Sequence, residues 1–112
     1  MNRYVEKLAD LPTEEVKGHQ GFVSRSLLDL QKQAVTVRVL NVTPGGVGPV
    51  PQHRHEDAHF FWVIEGNLEL EIDGQIYTIP SGSCIKVPPD KIHQLRCSGR
   101  KEVTVLAIKW VP

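Results

Sequence analysis

The stretch Gly48–Gly66, GPVPQHRHEDAHFFWVIEG, carries three of the five histidines in this chain of 112 residues. His53 and His55 are separated by one residue, and a strand points such residues to the same face about 6.6 Å apart. His59 then opens the apolar run FFWVI, which predicts a second strand. Histidine is the commonest metal ligand among side chains, and imidazoles at this spacing can reach one ion at about 2.0–2.1 Å. The stretch therefore predicts a metal site on two neighbouring strands.

Composition and charge limit the kinds of protein this can be. Hydrophobic residues make up 40% of the chain and charged residues 23%, which is ordinary for a soluble globular domain. Thirteen basic residues balance thirteen acidic ones, so no overall field attracts nucleic acid or an anionic membrane. No apolar run approaches the ~20 residues of a membrane span. We expect a single domain over residues 1–112 with neither nucleic acid nor a membrane as partner.

The N-terminus and the two cysteines indicate a reducing compartment. The first residues, MNRYVEKLADLP, carry charges throughout and lack the apolar core of a secretory signal. Cys84 and Cys97 are too few for a disulfide framework, so we predict free thiols that act as small buried hydrophobes in a cytoplasmic protein. The alternative for Cys97 is that it faces the same cavity as His93, four residues earlier.

Short apolar segments separated by turn residues extend on both sides of the histidines. Strands are predicted over residues 22–30, 34–42, 59–64, 68–72, 75–79, 83–87, 93–97 and 103–110. Asp73-Gly74 is a strong hairpin signal between two of them, whereas Pro44–Pro49 is so dense in turn residues that it predicts irregular structure. Eight or nine short strands without a convincing helix predict an all-β sandwich or barrel.

The first twenty residues are less regular. Thr13-Glu14-Glu15 has the composition of a helix start, but Gly18 ends the pattern within one turn. His19 lies in a polar stretch and is predicted to be a surface histidine. We expect this segment to pack across the barrel or against a dimer partner.

The strand after His59 is apolar on both faces. Alternation puts one set of side chains on each face, His59, Phe61 and Val63 on the inner one and Phe60, Trp62 and Ile64 on the other. A strand that is hydrophobic on both faces is normally covered on both. In a chain this short, a second subunit can provide the cover, which predicts a homodimer. The alternative is that the N-terminal segment folds back over that face.

A second segment, Gly82–Cys97 (GSCIKVPPDKIHQLRC), also contains a histidine. Taken together, the two segments resemble the cupin family of small RmlC-like barrels. The first motif of that family has a glycine, two histidines one residue apart, a glutamate and a second glycine. Here these positions are filled by Gly48 (one residue early), His53, His55, His59 in place of the glutamate, and Gly66.

The second cupin motif is also present with two departures. Gly82, Pro88 and His93 stand in register with it, whereas Asp90 replaces a glycine and Cys97 an asparagine. Fifteen residues separate Gly66 from Gly82, which is similar to the short spacing of small prokaryotic cupins. The resemblance implies a double-stranded β-helix, or jelly-roll, cupin barrel.

The resemblance also implies a metal centre. It identifies one divalent transition metal per chain (iron, manganese, nickel, copper or zinc) held inside the barrel by His53, His55, His59 and His93. Four neutral imidazoles leave the charge of the ion uncompensated, which favours an anionic or enolisable oxygen ligand. Side chains near these histidines in the sequence could orient the imidazoles by hydrogen bonding; the candidates are Gln52, Glu56, Asp57 and Gln94.

Two classes of function follow from this resemblance. The first is a metal-dependent oxidoreductase, in particular a dioxygenase, that acts on a small enolisable or anionic organic substrate in the barrel. No general base stands out in the sequence, which favours chemistry performed by the metal. The alternative is a non-catalytic sensor module that binds a small molecule or a metal, because many cupins are ligand-binding parts of transcription factors.

Overall fold

The structure is a computed structural model that describes residues 4–54 and 56–112, without the side chain of His53. Nine β-strands make up most of this part of the chain, and 3-10 turns at Leu8–Asp10 and Gln31–Gln33 are its only helical segments. The strands are β1 (Glu14–Glu15), β2 (Gln20–Leu30), β3 (Val35–His53), β4 (Ala58–Glu65), β5 (Asn67–Ile72), β6 (Gln75–Pro80), β7 (Cys84–Val87), β8 (His93–Arg96) and β9 (Val103–Trp110). The all-β prediction is confirmed. No helix in the described ranges is long and apolar enough to cross a bilayer.

The nine strands form one hydrogen-bonded sheet that curves into a jelly-roll barrel. Its order is β6-β5-β8-β3-β9-β4-β7, with β2 added beside β3 and β1 beside β2. β3 belongs to both halves of the barrel, because its first part pairs with β2 and β9 and its last part pairs with β8. The double-stranded β-helix expected from the two histidine segments is therefore the observed fold.

The segment Pro44–Pro49 continues β3, so the prediction of irregular structure there is wrong. Its backbone is paired: Gly45 N–H donates to the carbonyl of Cys97 at 2.9 Å, and Cys97 N–H donates to that of Gly46 at 3.0 Å. Gly45 has φ 84°, a conformation that glycine adopts readily. A side chain at Gly46 would lie 2.8 Å from the carbonyl oxygen of Thr43. The glycines therefore bend a continuous strand without ending it.

The core forms from the inward-facing side chains of both halves. Leu68 and Leu70 of β5 are fully buried, while Glu69 and Glu71 alternate with them and stay partly exposed. Their fully buried neighbours come from four other strands and include Val42, Val63, Val87, Val103 and Val105. The alternation of leucine and glutamate along β5 thus matches its buried and exposed faces.

The hairpin after β5 also forms as predicted. Asp73 and Gly74 have φ values of 47° and 83°, as a two-residue type I′ turn requires. The turn pairs Ile72 with Gln75.

The outer face of β4 is not fully covered by the described part of the chain. Trp62 is 40% exposed and Ile64 is 45% exposed, whereas Phe61 and Val63 on the inner face are buried. Residues 14–17 and 19 of the N-terminal segment line the inside of the barrel instead. The alternative in which this segment covers the outer face is therefore wrong for these residues.

Candidate metal and ligand site

A cavity of ≈360 Å³ opens into the barrel, which is within the usual range for small-molecule sites. Its apolar wall includes Phe22, Leu40, Phe61, Leu95 and Ala107. Its polar wall includes Glu14, Glu15, Lys17, His19, Ser24, Thr36, Arg38, His59, His93 and Lys109. The cavity wall is therefore apolar on one part and polar on another.

Two of the four predicted metal ligands meet in this cavity. The ring centroids of His59 and His93 lie 4.7 Å apart, with 60° between the ring planes. Two imidazoles that bind one ion at about 2.0–2.1 Å, about 90–110° apart, have centroids about 4.5–5.2 Å apart. The separation of His59 and His93 fits shared coordination of one metal ion.

The orientation of His93 is fixed by the backbone. Its Nδ1 lies 3.0 Å from the carbonyl oxygen of Lys91, and a carbonyl can only accept, so Nδ1 carries the proton. The other nitrogen, Nε2, is then the one with a lone pair for a metal. The residue is only 3% exposed, so this arrangement is held in a protected environment.

The other two predicted ligands are described only in part. The backbone of His53 pairs in register with that of His93, but the side chain of His53 and the whole of His55 lie outside the described residues. Within the ranges that are described, no group of three His, Cys, Asp or Glu side chains is arranged for metal binding. The four-histidine site therefore stays a prediction.

A polar network on the outside of the barrel ties together the strand segments that carry His53 and His93. Gln94 Nε2 donates to the carbonyl of Pro49 at 2.9 Å, and Arg96 Nε donates to Gln94 Oε1 at 3.0 Å. Arg96 and Gln52 each donate to the Glu71 carboxylate at 2.6 Å. The Gln52 amide, and then the Arg96 guanidinium, hold the pKa of Glu71 below its ordinary value.

The side chains expected to orient the imidazoles thus have other partners. Gln52 and Gln94 take part in the outer network, and for His93 the acceptor is a backbone carbonyl. Asp57 Oδ2 lies 3.7 Å from Nζ of Lys109, which is the cross-strand neighbour of His59. Glu56 is exposed. Asp57 therefore forms an ion pair with Lys109, the residue beside His59 on the neighbouring strand.

His19 is a half-buried part of the cavity wall, so the prediction of a surface histidine is wrong. Its Nδ1 lies 2.8 Å from the carbonyl oxygen of Lys17, and its ring meets Phe22 edge-on at a centroid distance of 4.7 Å. A side chain at Gly48 would overlap the imidazole, with its Cβ 2.7 Å from Cβ of His19. The residue that makes room for this ring is Gly48, which has no side chain. It is far from His19 in the sequence, so the pattern around His19 did not indicate the contact.

Arg38 is a cavity residue that the sequence pattern did not identify. Its Nη1 donates to Ser24 Oγ at 3.3 Å and lies 3.7 Å from Oε2 of Glu14. In a strand, alternation places Arg38 and Leu40 on one face and Val35, Val37 and Val39 on the other. The sequence does not say which face is inside, and in the structure it is the face with Arg38.

The two cysteines are free thiols, as predicted. Cys97 is a buried core residue whose Sγ donates to the carbonyl of Lys101 at 3.1 Å. It is not part of the cavity wall, and burial raises the pKa of its thiol. Cys84 is exposed, so the prediction that both are buried is wrong for that residue.

A jelly-roll barrel with a histidine-lined cavity defines the structural class. The Cupin_2 family, described as a cupin domain, matches residues 38–109. The chain belongs to this family.

Two curated proteins are similar to parts of the chain. A 5-nitrosalicylic acid 1,2-dioxygenase from Bradyrhizobium sp. is 29% identical over 59 residues, which are 53% of this chain and 28% of that protein. The uncharacterized HTH-type transcriptional regulator YobQ of Bacillus subtilis (strain 168) is 30% identical over 56 residues, 50% of this chain and 23% of the regulator. The chain thus spans about a quarter of the length of these relatives.

A solved structure matches almost the whole chain. It is the Thermotoga maritima protein described as a predicted oxalate decarboxylase, with a TM-score of 0.84 and 17% identity. The match covers 96% of this chain and 99% of the other. At this identity the likeness supports the fold alone.

Proposed function

We propose that the chain binds one divalent transition metal through His53, His55, His59 and His93. The observation that carries this proposal is the 4.7 Å approach of the His59 and His93 rings inside the cavity. The register of the His53 and His93 backbones supports it. When bound, the ion would supply Lewis acidity and, for a redox-active metal, electron transfer.

The activity that we propose is that of a metal-dependent oxidoreductase, in particular a dioxygenase, acting on a small enolisable or anionic organic molecule. The cavity has room for a small molecule, and Phe61 and Leu95 give it an apolar wall. Lys109 beside His59 and Arg38 elsewhere in the cavity wall supply positive charge. The similarity of half the chain to a dioxygenase supports the class of reaction.

The second candidate is a non-catalytic sensor module that binds a small molecule or a metal. The similarity of half the chain to a transcriptional regulator favours it. Such a module would use the same cavity but release its ligand unchanged. Turnover of a bound ligand therefore separates the two candidates.

We also propose that the chain forms a homodimer through the outer face of its sheet. Apolar residues of β3, β9 and β4 stand side by side there in two rows, one of Val37, Ile108 and Phe60 and the other of Val39, Leu106 and Trp62. Trp62 is exposed, Val37, Phe60, Leu106 and Ile108 are partly exposed, and Val39 is buried. Apolar side chains that stay partly exposed in one patch mark an interaction site. The free thiols of Cys84 and Cys97 support a reducing, cytoplasmic location.

The first test is the metal content of untagged protein purified without added metal. We expect about one ion per chain in the wild type and loss of the ion in His93→Ala and His59→Ala. His19→Ala is the matched control, because His19 lines the same cavity but is outside the proposed ligand set. Absence of metal in the wild type, even after titration, would refute the proposal, and loss in the control would refute the four-histidine set.

The identity of the metal then directs the test of activity. A redox-active ion predicts oxygen uptake when small carboxylic and enolisable compounds are screened. Zinc would shift the interpretation to hydrolysis, isomerisation or a structural role. A ligand that binds the metal-loaded protein and is recovered unchanged would favour the sensor.

A further inference from the structure

Arg38 and the two histidines lie on opposite sides of one cavity. Thr36 pairs with Lys109, and Lys109 pairs with His59, so these three residues form one row across the inner face of the sheet. Arg38 is the next inward residue of β3 after Thr36. With strands about 4.8 Å apart and inward residues about 6.7 Å apart, the Cα atoms of Arg38 and His59 are separated by roughly 12 Å. A small molecule between them can therefore contact both the guanidinium and the histidines.

The guanidinium of Arg38 has more donors than its protein partners use. It carries five N–H groups in a planar fork, and in the described part of the chain both of its polar contacts are made by Nη1. One of them, Ser24, is fully buried and fixes the direction of the arm. The rest of the fork has the geometry that binds the two oxygens of a carboxylate side by side.

Glu14 is the only carboxylate that the described residues place against Arg38, and its contact is weak. The separation of 3.7 Å exceeds a hydrogen bond, and the two side chains are 34% and 59% exposed, Arg38 and Glu14 respectively. Exposed pairs of this kind contribute little to stability. Glu14 also belongs to β1, a strand of two residues whose strand partner in the described part of the chain is β2. A ligand carboxylate can displace it at small cost.

We propose that Arg38 is the specificity-determining residue of the cavity and binds the carboxylate of a small organic acid, and that Glu14 occupies this position until the ligand displaces it. The substrate is then a small carboxylic acid. The guanidinium binds its carboxylate, and the other end of the molecule faces His59 and His93. The proposal deepens the proposed function, because it assigns the substrate class of the same cavity. The contact itself needs no metal.

The test is an NMR titration of the protein with benzoate, both as purified and after removal of metal with a chelator. Benzamide is the uncharged probe of the same shape, and inorganic phosphate tests for general anion binding. We expect benzoate to bind at least about tenfold more tightly than benzamide. Arg38→Gln should weaken benzoate binding by about tenfold or more, as for other charged hydrogen bonds, and Arg38→Lys should recover only part of it because the fork is lost.

Two further variants make the test specific. Arg25→Gln is the matched control, because Arg25 donates to Asn41 and is not part of the cavity wall; its benzoate affinity should equal that of the wild type. Glu14→Gln should tighten binding by about two- to fivefold, the range of an exposed ion pair. A Glu14→Gln variant that binds more weakly would overturn the displacement.

The failures of the two proposals are distinguishable. Unchanged binding by Arg38→Gln, equal binding of benzamide, or tighter binding of phosphate would overturn the role of Arg38. If benzoate binds only to metal-loaded protein and Arg38→Gln retains this binding, the role of Arg38 fails while the metal site stands. If no preparation holds metal but Arg38→Gln still abolishes benzoate binding, the role of Arg38 stands and the proposed function fails. Thermal unfolding of each variant confirms that it is folded.

Discussion

His59 on β4 and His93 on β8 bring their imidazole rings to a centroid distance of 4.7 Å, although their strands do not pair. β4 pairs with β7 and β9, whereas β8 pairs with β3 and β5. The two rings therefore meet only when the halves of the barrel close on each other. An ion held by both would bind the folded chain and not the unfolded one.

Added metal should therefore raise the unfolding temperature of the wild type. An ion at 100 times its dissociation constant adds about 2.7 kcal/mol to the free energy of unfolding. Thermal unfolding with metal and with chelator measures the difference. It should vanish in His59→Ala and His93→Ala and persist in His19→Ala. A shift of the same size in all four proteins would contradict shared coordination by His59 and His93.

Gly48→Ala should destabilise the fold through His19. The new Cβ would overlap the imidazole, and overpacking of this kind costs about 1–3 kcal/mol. Urea unfolding measures the loss, and His19→Ala in the same chain should restore most of it by removing the ring. Gly99→Ala is the control, because a Cβ at Gly99 meets nothing within 4 Å. A double variant as unstable as Gly48→Ala alone would show that His19 is not the cause.

Glu71→Gln should lower stability at neutral pH and lose this effect in acid. The pKa of Glu71 is lowered in the folded chain by Gln52 and Arg96, so the ionised carboxylate stabilises the fold above its ordinary pKa of 4.5. That contribution disappears as the pH falls through the lowered value. Unfolding midpoints from pH 7 to pH 3 should converge for the variant and the wild type, with the exposed Glu65→Gln as control. A gap that stays constant over this range would contradict the assignment.

Only one thiol per chain should react with Ellman's reagent in the native protein. Cys84 is exposed, whereas Cys97 is buried and burial raises the pKa of its thiol, so less of the reactive thiolate forms. The fast phase should be lost in Cys84→Ser and kept in Cys97→Ser, and the second thiol should react after unfolding. Fast reaction of Cys84→Ser would contradict the burial of Cys97.

Trp62→Glu should convert the proposed homodimer into a monomer. It places a charge at the exposed end of one outer apolar row, where burial against a second copy would leave it unpaired. Light scattering after size-exclusion chromatography measures the mass. Ile76→Glu is the matched control, since Ile76 is also apolar and exposed but lies on β6, and this variant should stay dimeric. A monomeric wild type would refute the dimer.

The fold could be predicted because its signals are local. The alternation in β5 and the Asp73-Gly74 turn act between near neighbours, and the two histidine segments carry the family resemblance. The position of Arg38 could not be predicted, because alternation separates two faces without saying which is inside. His19 was missed because its contact with Gly48 is between distant parts of the chain. The strand through Pro44–Pro49 was missed because turn residues bend a strand as well as end one.

The long strand β3 carries Arg38 in one half of the barrel and the backbone of His53 in the other. The bend at Gly45 and Gly46 lies between them. It lets the first part of β3 pair with β2 and the last part pair with β8, each in its own register. In evolutionary terms, Arg38 and the two histidine segments are separate stretches of the chain that can change independently. If Arg38 binds the ligand as proposed, point changes at Thr36 or Arg38 would change the ligand of a descendant barrel and leave the histidine segments unaltered.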